Sequence, residues 1–242
     1  MIQTTYQQSE QNPILQSQLL QKEAGIDHFC SMRGFEHPGQ GVWMPWQVHG
    51  TEIVVVGDAT LFDAGSEFQP IDADAVITQQ VGRWIGVRTA DCVPVLIYDP
   101  VSRVVAAVHA GWRGTVKHIT QLVAERMIQD FGCSPRNMLA MIGPSIGPEA
   151  FEVGEEVAQA FTEAGREECV LRQAYSAIRG VQFVKPHVDL WQSNAMDLLE
   201  AGLELEHIDC TPWCTYEHHE QLYSARRQGI GTGRIVTAIC LK

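Results

Sequence analysis

Residues 93–114 read VPVLIYDPVSRVVAAVHAGWRG, in which two apolar runs flank a short polar turn. The Asp99–Pro100 dipeptide is typical of a turn, so residues 93–98 and 104–108 are predicted to pair as a hairpin of buried strands. Two glycines then lead into a helix predicted from about residue 115 to residue 131. Strand, turn, strand and helix in direct succession indicate a fold that mixes both element types.

Strands and helices continue on both sides of this segment without strict alternation. Apolar runs predict strands near residues 52–56, 75–78, 84–87, 138–142 and 233–241, and helices at 148–164 and 188–200. The first 25 residues, rich in Gln and Ser, are predicted to form a polar N-terminal extension with loose helical character. Together these elements predict an α+β fold in layers with mixed β-sheets, rather than a doubly wound parallel sheet.

Charge and cysteine usage disfavour several classes of protein. The formal net charge is −12, from 17 basic and 29 acidic residues without a basic run, so nucleic acid is not an expected partner. No apolar run approaches the roughly 18 residues that a membrane-spanning helix needs. The N-terminus lacks the pattern of a secretory signal. Seven cysteines without a Cys-x-x-Cys pair favour a reducing, cytoplasmic location over a disulfide framework.

Cys92 and His109 are predicted to lie at the open end of the hairpin. The polar tetrad Thr-Ala-Asp-Cys at residues 89–92 directly precedes the first strand, and His109 closes the second. With the turn centred near residue 101, the outer strand ends are neighbours and the two side chains face each other. A buried, inert thiol is the ordinary state of a free cysteine. The polar tetrad between two apolar runs is what indicates a site instead.

His49, in the segment Trp-Gln-Val-His-Gly at residues 46–50, completes a set of two histidines and one cysteine. Zinc accepts these nitrogen and sulfur ligands, and a three-ligand site leaves one coordination position open, as is typical of catalytic zinc. Two rival interpretations stay open. One is a metal-free cysteine hydrolase with Cys92 as nucleophile and His109 as base. The other is a non-enzymatic zinc-binding module with a closed four-ligand site.

Sequence blocks around these residues resemble the signature of the YfiH/laccase-domain family, also described as multicopper polyphenol oxidase-like. The blocks follow the family's order; they are QVHGTE at 47–52, TADC at 89–92, HAGWRG at 109–114, IGPSIGP at 142–148, FEVG at 151–154, CTY at 214–216, YSARR at 223–227 and TGR at 232–234. The resemblance implies a single catalytic domain over residues 26–242. It further implies an α-β-β-α sandwich similar to cytotoxic necrotizing factor.

The same resemblance implies a zinc-dependent purine nucleoside phosphorylase acting on adenosine, inosine and methylthioadenosine, with adenosine deaminase activity. It assigns the metal to His49, Cys92 and His109, and small-molecule nucleoside and phosphate as partners. Some bacterial members are linked to peptidoglycan precursor editing, so a hydrolase of that kind stays open. A copper oxidase is disfavoured, because a multicopper centre needs many paired histidines and the nine histidines here include no His-x-His.

The chain departs from the family pattern in two places. The family has a Ser-Leu-Asn block after its opening Phe-Ser-x-Arg motif, whereas here Arg33 is followed by a short segment to Trp46 without that block. One wall of the pocket is therefore expected to differ, and with it the substrate preference. Ser145 stands where many members have a cysteine, which removes a second thiol but leaves the three metal ligands intact.

Further residues are candidates for substrate contacts and proton transfer. Asp91 is a candidate general acid or base because it adjoins Cys92. The candidates for binding phosphate or substrate are Arg33, Trp112, Arg113, Arg226 and Arg227. Arginine suits bidentate recognition of phosphate oxygens, although a structural ion pair is an equally good interpretation of any one of them. Trp112 is the tryptophan best placed to contact a base.

Overall fold

The structure, a computed structural model, describes residues 6–8, 13–35, 41–57, 71–172, 175–176, 180–182, 184–211 and 213–242. Its strands are β1 (Tyr6–Gln8), β2 (Ile14–Ser17), β3 (Ile26–Ser31), β4 (Ile53–Val56), β5 (Ala75–Thr78), β6 (Trp84–Thr89), β7 (Val93–Asp99), β8 (Val104–Ala110), β9 (Leu139–Ile142), β10 (Val170–Leu171), β11 (Tyr175–Ser176), β12 (Val181–Gln182), β13 (His187–Val188), β14 (Ile208–Cys210) and β15 (Ile235–Leu241). Its helices are α1 (Gln18–Gln21), α2 (Trp112–Thr115), α3 (Ile119–Phe131), α4 (Glu155–Glu163), α5 (Leu190–Glu200) and α6 (Ala225–Gln228), with short 3₁₀ turns at Glu167–Cys169 and Leu205–His207.

The predicted hairpin lies at the centre of a six-stranded sheet with the order β14-β9-β7-β8-β5-β4. Strands β7 and β8 pair antiparallel from Val93 opposite Ala110 to Asp99 opposite Val104. The pairs β4–β5 and β9–β14 are parallel and the other pairs are antiparallel, so the sheet is mixed, as predicted.

A second, five-stranded sheet has the order β1-β2-β3-β15-β6 and is antiparallel throughout. Strand β6 precedes β7 directly in sequence but belongs to this other sheet. The chain crosses from one sheet to the other through residues 90–92, where Asp91 has a φ of 95°. That crossing places the polar tetrad at the junction of the two sheets.

Alternating side chains of β8 contribute to two separate cores. Val104, Ala106 and Val108 pack on the helical side of the six-stranded sheet, against residues of α3, α4 and α5. Val105 and Ala107 pack in the opposite direction, against residues of the five-stranded sheet. All seven residues of β8 are buried, which explains why its sequence is a continuous apolar run rather than an alternating one.

The described helices and sheets therefore form at least three layers, and the predicted α+β class with mixed sheets is confirmed. The fourth, outer helical layer of the α-β-β-α sandwich stays a prediction. None of the helices in the described part of the chain has the length and apolar character of a membrane span.

Three predicted elements differ in the structure, and strands β3 and β14 have no counterpart in the prediction. The loose helix expected in the first 25 residues is wrong over residues 14–17, which form a strand because Leu15 and Ser17 face inward while their neighbours are half-buried. The polar extension as a unit separate from residues 26–242 stays a prediction. The helix predicted from residue 148 begins at Glu155, since residues 147–151 form turns and Glu152 bridges to His187. Helix α3 begins only at Ile119, after a left-handed residue at 118.

Candidate active site

The three predicted metal ligands converge at one end of the β7–β8 hairpin. The ligand atoms of His49, Cys92 and His109 all lie within 4.8 Å of one another. The Cys92 Sγ and His49 Nε2 atoms are 4.0 Å apart. One zinc ion holds a nitrogen at about 2.0 Å and a sulfur at about 2.3 Å, so two such donors stand at most about 4.3 Å apart. The separation of this pair is within that reach, and two imidazoles with one thiol are a donor set that zinc accepts.

Hairpin register places Cys92 and His109, as the sequence predicted. His109 is the penultimate residue of β8 and lies opposite Pro94. Cys92 stands one residue before the last pair, Val93 with Ala110, and so comes next to Gly111. The third ligand, His49, arrives from a loop before β4 and has a φ of 60°, a left-handed conformation that turns the loop toward the hairpin end.

Gly111 lets these side chains approach each other. A Cβ atom at this position would stand 3.0 Å from His49 Cδ2 and 3.1 Å from Cys92 Sγ. Both distances are shorter than ordinary van der Waals contact, so any larger residue would push the ligands apart. The need for glycine here comes from close packing, because Gly111 itself has a φ of −68°.

Asp74 holds two of the ligands from beneath and was not among the residues predicted from sequence. Its fully buried carboxylate accepts a hydrogen bond from His109 Nδ1 at 2.7 Å. It also accepts backbone N–H bonds from His49 at 3.0 Å and from Gly50 at 2.6 Å. A carboxylate on Nδ1 leaves Nε2 of His109 free to face a metal, the arrangement usual around histidine ligands. The sequence signal for Asp74 is its position directly before the buried strand β5, in a short acidic segment that is also typical of a turn.

The charges of this cluster reinforce one another. Burial favours the neutral acid at Asp74, but hydrogen bonds from His109 and from the backbone of Gly50 and His49 outweigh it and lower its pKa. Burial disfavours a charged His109, yet its bonds with Asp74 and Cys92 prevail and raise its pKa. Burial likewise opposes a Cys92 thiolate, and hydrogen bonds from His109 and His49 overcome it and lower the pKa of Cys92. A thiolate is the form that binds metal or attacks an electrophile.

A cleft of about 630 Å³ opens above the ligands. That volume lies within the range of small-molecule sites. Besides the three ligands, its described lining consists of Trp46, Gln47, Arg88, Thr89, Ala90, Ala225, Ile230, Thr232 and Arg234. Two apolar side chains of this lining are unusually exposed, Trp46 at 57% and Ile230 at 87%. The cleft thus combines a cluster of candidate metal ligands, two arginines and accessible apolar surface.

Asp91 makes contacts that tie together distant parts of the chain. Its carboxylate accepts hydrogen bonds from the Thr215 hydroxyl and from the backbone N–H of Arg226, each at 2.6 Å. The second bond is at the start of α6, where a carboxylate favourably meets exposed N–H groups. Asp91 directly precedes Cys92 in sequence, but in the structure its carboxylate is hydrogen-bonded to the C-terminal segment. Its role as general acid or base stays a prediction.

The predicted phosphate and substrate residues do not meet at the described lining of the cleft. Arg33 donates to the backbone carbonyls of His219 and Leu222 and so stabilises the loop that contains them. Arg226 donates to the backbone carbonyl of Glu152.

The remaining candidates each contact an aromatic ring. The guanidinium of Arg113 stacks on the ring of Trp112, which is itself partly buried against the helix-side core. The guanidinium of Arg227 stacks on the ring of Tyr216. Part of the shortened segment after Arg33, residues 36–40, lies outside the described residues, so its pocket wall stays a prediction.

A second group of possible metal ligands has another explanation. His118, Asp197 and Glu200 also bring their ligand atoms close together. The buried guanidinium of Arg166 lies among them and donates to Asp197 and to Glu200, each at 2.7 Å. Because a cation already neutralises these carboxylates, this cluster joins helices rather than holding an ion.

The chain is similar to a set of known proteins over most of its length. A family model described as multi-copper polyphenol oxidoreductase laccase matches residues 24–242. A purine nucleoside phosphorylase of Bacteroides thetaiotaomicron is 40% identical over 212 residues, 87% of this chain and 77% of that protein. Adenosine deaminase RL5, from an unknown prokaryotic organism, is 36% identical over 203 residues, 82% of this chain and 74% of that protein. The crystal structure of the hypothetical protein YfiH of Bacillus licheniformis shares the fold, with a TM-score of 0.81 at 22% identity, covering 98% of this chain and 99% of that one.

Proposed function

The chain belongs to the multi-copper polyphenol oxidoreductase laccase family, and from that premise we propose that it is a zinc-dependent purine nucleoside phosphorylase with adenosine deaminase activity. The proposal is carried by the cluster of His49, Cys92 and His109 at the floor of a nucleoside-sized cleft. The names of the two relatives support it, since one is a purine nucleoside phosphorylase and the other an adenosine deaminase. Family membership also confirms the resemblance seen in the sequence blocks.

The donor set favours zinc. Two imidazoles and one thiolate with an open side toward the cleft are typical of catalytic zinc. The described residues offer no second histidine-rich cluster beside this one, as a multicopper centre would require, because the other candidate group contains a single histidine and an arginine. A zinc ion bound here would supply Lewis acidity toward a substrate in the cleft.

The chain's own residues orient the site and cover the substrate. Asp74 keeps the Nδ1 proton of His109 in place and thereby directs the Nε2 lone pair toward the metal position. Trp46 and Ile230 offer apolar surface to the flat faces of a purine and to the carbon atoms of its ribose. In phosphorolysis a phosphate oxygen bonds to ribose C1′ while the C1′–N9 bond breaks, and the purine leaves with a proton. In deamination water adds at C6 of adenine and ammonia leaves.

A cysteine hydrolase with a Cys92–His109 dyad, acting for example on peptidoglycan precursors, is the second candidate. The Cys92 thiol and the His109 imidazole lie within 4.8 Å of each other, which favours it, since a nucleophile close to its base is the signature of such enzymes. The two functions differ in their dependence on metal. A hydrolase of this kind keeps its activity after chelation and loses it to iodoacetamide, whereas the proposed phosphorylase loses activity on chelation and regains it with zinc.

The test measures metal content together with product formation. The purified protein is expected to hold about one zinc, to release free base from inosine, adenosine and methylthioadenosine only with phosphate, and to form inosine from adenosine without phosphate. Cys92→Ala is expected to lose both the metal and the activities. Cys133→Ala, which removes another buried cysteine, is the control and should retain them. Full activity in metal-free protein would overturn the zinc proposal, and base release independent of phosphate would overturn phosphorolysis.

The same proposal includes the partners and the cellular location of the protein. We take nucleosides and phosphate as its partners and the cytoplasm as its location, because seven free cysteines suit a reducing compartment.

A further inference from the structure

We infer that Arg88 and Arg234 form the subsite that binds a phosphate group beside the metal ligands. The choice of phosphate rests on the proposed function, whereas the existence of an anion subsite rests on the geometry below. Both residues line the same cleft as His49, Cys92 and His109.

Strand pairing brings the two arginines to one face of the five-stranded sheet. In the antiparallel pair β6–β15, Arg88 lies opposite Val236 and Thr89 lies opposite Ile235. Arg234 directly precedes Ile235, the first residue of β15, and the same register continued by one residue puts it diagonal to Arg88 on the same face. Diagonal neighbours of this kind stand about 7–8 Å apart at Cα, within reach of long side chains. Two guanidinium groups can therefore contact one anion from adjacent strands.

The cleft has two cations and no described acid to neutralise them. Its described lining contains Arg88 and Arg234 but neither aspartate nor glutamate, in a chain whose net charge is −12. The guanidinium of Arg88 forms no hydrogen bond or ion pair with any residue in the described part of the chain, and its side chain is exposed. Like charges on neighbouring strands repel. Their juxtaposition without a carboxylate suits an anionic ligand.

Both arginines are held in place by contacts that leave charge available. The side-chain amide of Gln47 accepts from the Arg88 backbone N–H and donates to its carbonyl, each at 2.8 Å. Because Gln47 is two residues before His49, this amide connects the β6 edge to the ligand loop. Arg234 donates to the backbone carbonyls of Thr232, Gly233 and Ile230, which fixes its guanidinium without neutralising it.

The other arginines of the sequence signature are less suited to this role. Arg226 and Arg33 donate to backbone carbonyls away from the cleft lining, and Arg113 rests on Trp112. Arg88 and Arg234 thus replace them as the phosphate-binding pair. A phosphate group held there can belong to free inorganic phosphate or to the 5′-position of a nucleotide, since both present tetrahedral oxyanion oxygens to guanidinium donors.

The experiment compares Arg88→Gln and Arg234→Gln with Arg136→Gln, a matched charge loss at an exposed position outside the described lining. The phosphate KM of phosphorolysis is measured at saturating nucleoside, and phosphate-free adenosine deamination reports on the remainder of the site. Binding is measured separately from turnover, as the rise in unfolding temperature that inorganic phosphate or AMP produces at constant ionic strength. Arg88→Gln is the decisive variant, because Arg234 also supports its own loop.

The expected result is a phosphate KM raised about tenfold or more in Arg88→Gln, with deamination and the Arg136→Gln variant changed less than about threefold. If Arg88→Gln is no longer stabilised by inorganic phosphate, the ligand is the free ion. If it is no longer stabilised by AMP, the ligand is the phosphate group of a nucleotide. Unchanged KM and unchanged stabilisation by both ligands in the Arg88 and Arg234 variants would overturn the inference. If no variant and no wild-type protein performs phosphorolysis while phosphate still binds through these arginines, the proposed function fails and the subsite stands.

Discussion

The Oδ1 atom of Asp74 lies 2.7 Å from Nδ1 of His109 and 3.0 Å from the backbone nitrogen of His49. One buried carboxylate therefore connects a strand end to a loop that arrives from another part of the chain. The contact holds two of the three candidate ligands in register with each other. Its loss should affect the metal before it affects the fold.

Asp74→Asn is expected to weaken zinc binding by about 10–100-fold, because an amide cannot accept all the hydrogen bonds that the carboxylate accepts. The measurement is competition with a chelator of known affinity. Asp72→Asn is the matched control, since Asp72 is exposed and lies two residues away on the same segment. Equal zinc affinity in Asp74→Asn and wild type would show that the carboxylate supports only the fold.

Gly111→Ala is expected to displace His49 and Cys92, because the added methyl group would stand 3.0 Å and 3.1 Å from them. We expect a clear loss of bound zinc and a destabilisation of about 1–3 kcal/mol, the usual cost of overpacking. Metal analysis and thermal unfolding measure the two effects. Gly57→Ala, where a Cβ meets nothing within 4 Å, should retain both zinc and stability. Full zinc occupancy in Gly111→Ala would contradict the close packing described.

Short-range pairing explains why part of this site could be predicted from sequence. Cys92 and His109 belong to one hairpin, whose turn fixes which residues lie side by side. Asp74 reaches His109 only because β5 pairs with β8. These two strands are not joined by a turn, so the sequence does not reveal that they pair.

The same limit applies to the rest of the fold. The apolar runs of β6 and β7 are adjacent in sequence, yet they lie in different sheets, because Asp91 adopts a left-handed conformation between them. Arg88 and Arg234 reach the same cleft only through the pairing of β6 with the C-terminal strand. Apolar runs predict β6, β7 and β15 individually, but the choice of partner depends on the whole core.

His28 is expected to make the stability of the protein depend on pH. Its buried imidazole accepts a hydrogen bond from the backbone N–H of Ser17 at 2.9 Å. Burial lowers the pKa of His28 to about 4, against an ordinary value of 6.5. The folded state therefore binds the proton less readily than the unfolded state, and stability is full above about pH 6.5 and declines as the pH falls toward about 4.

Between about pH 8 and about pH 5 this group alone should lower the free energy of unfolding by about 2 kcal/mol. Urea unfolding at the two pH values measures the loss. The amide oxygen of His28→Gln can accept the same hydrogen bond without titrating. Between these two pH values, the free energy of unfolding of this variant should therefore fall less than that of the wild type, and the difference should equal the contribution of His28. An identical pH dependence in the variant and the wild type would show that His28 is not responsible.

Trp46 and Ile230 are expected to bind the nucleoside rather than to support the fold. Trp46 is 57% exposed and Ile230 is 87% exposed, yet both line the cleft above the metal ligands. Apolar surface that remains accessible in the free protein gains free energy only when a ligand covers it. Trp46→Ala and Ile230→Ser should therefore raise the nucleoside KM, by about tenfold for the larger indole, and leave the phosphate KM nearly unchanged. Steady-state kinetics with each substrate varied in turn separates the two constants. Val81→Ser is the control, because Val81 is 63% exposed but lies outside the described lining of the cleft. If Trp46→Ala and Ile230→Ser keep the wild-type nucleoside KM, the base occupies another part of the cleft.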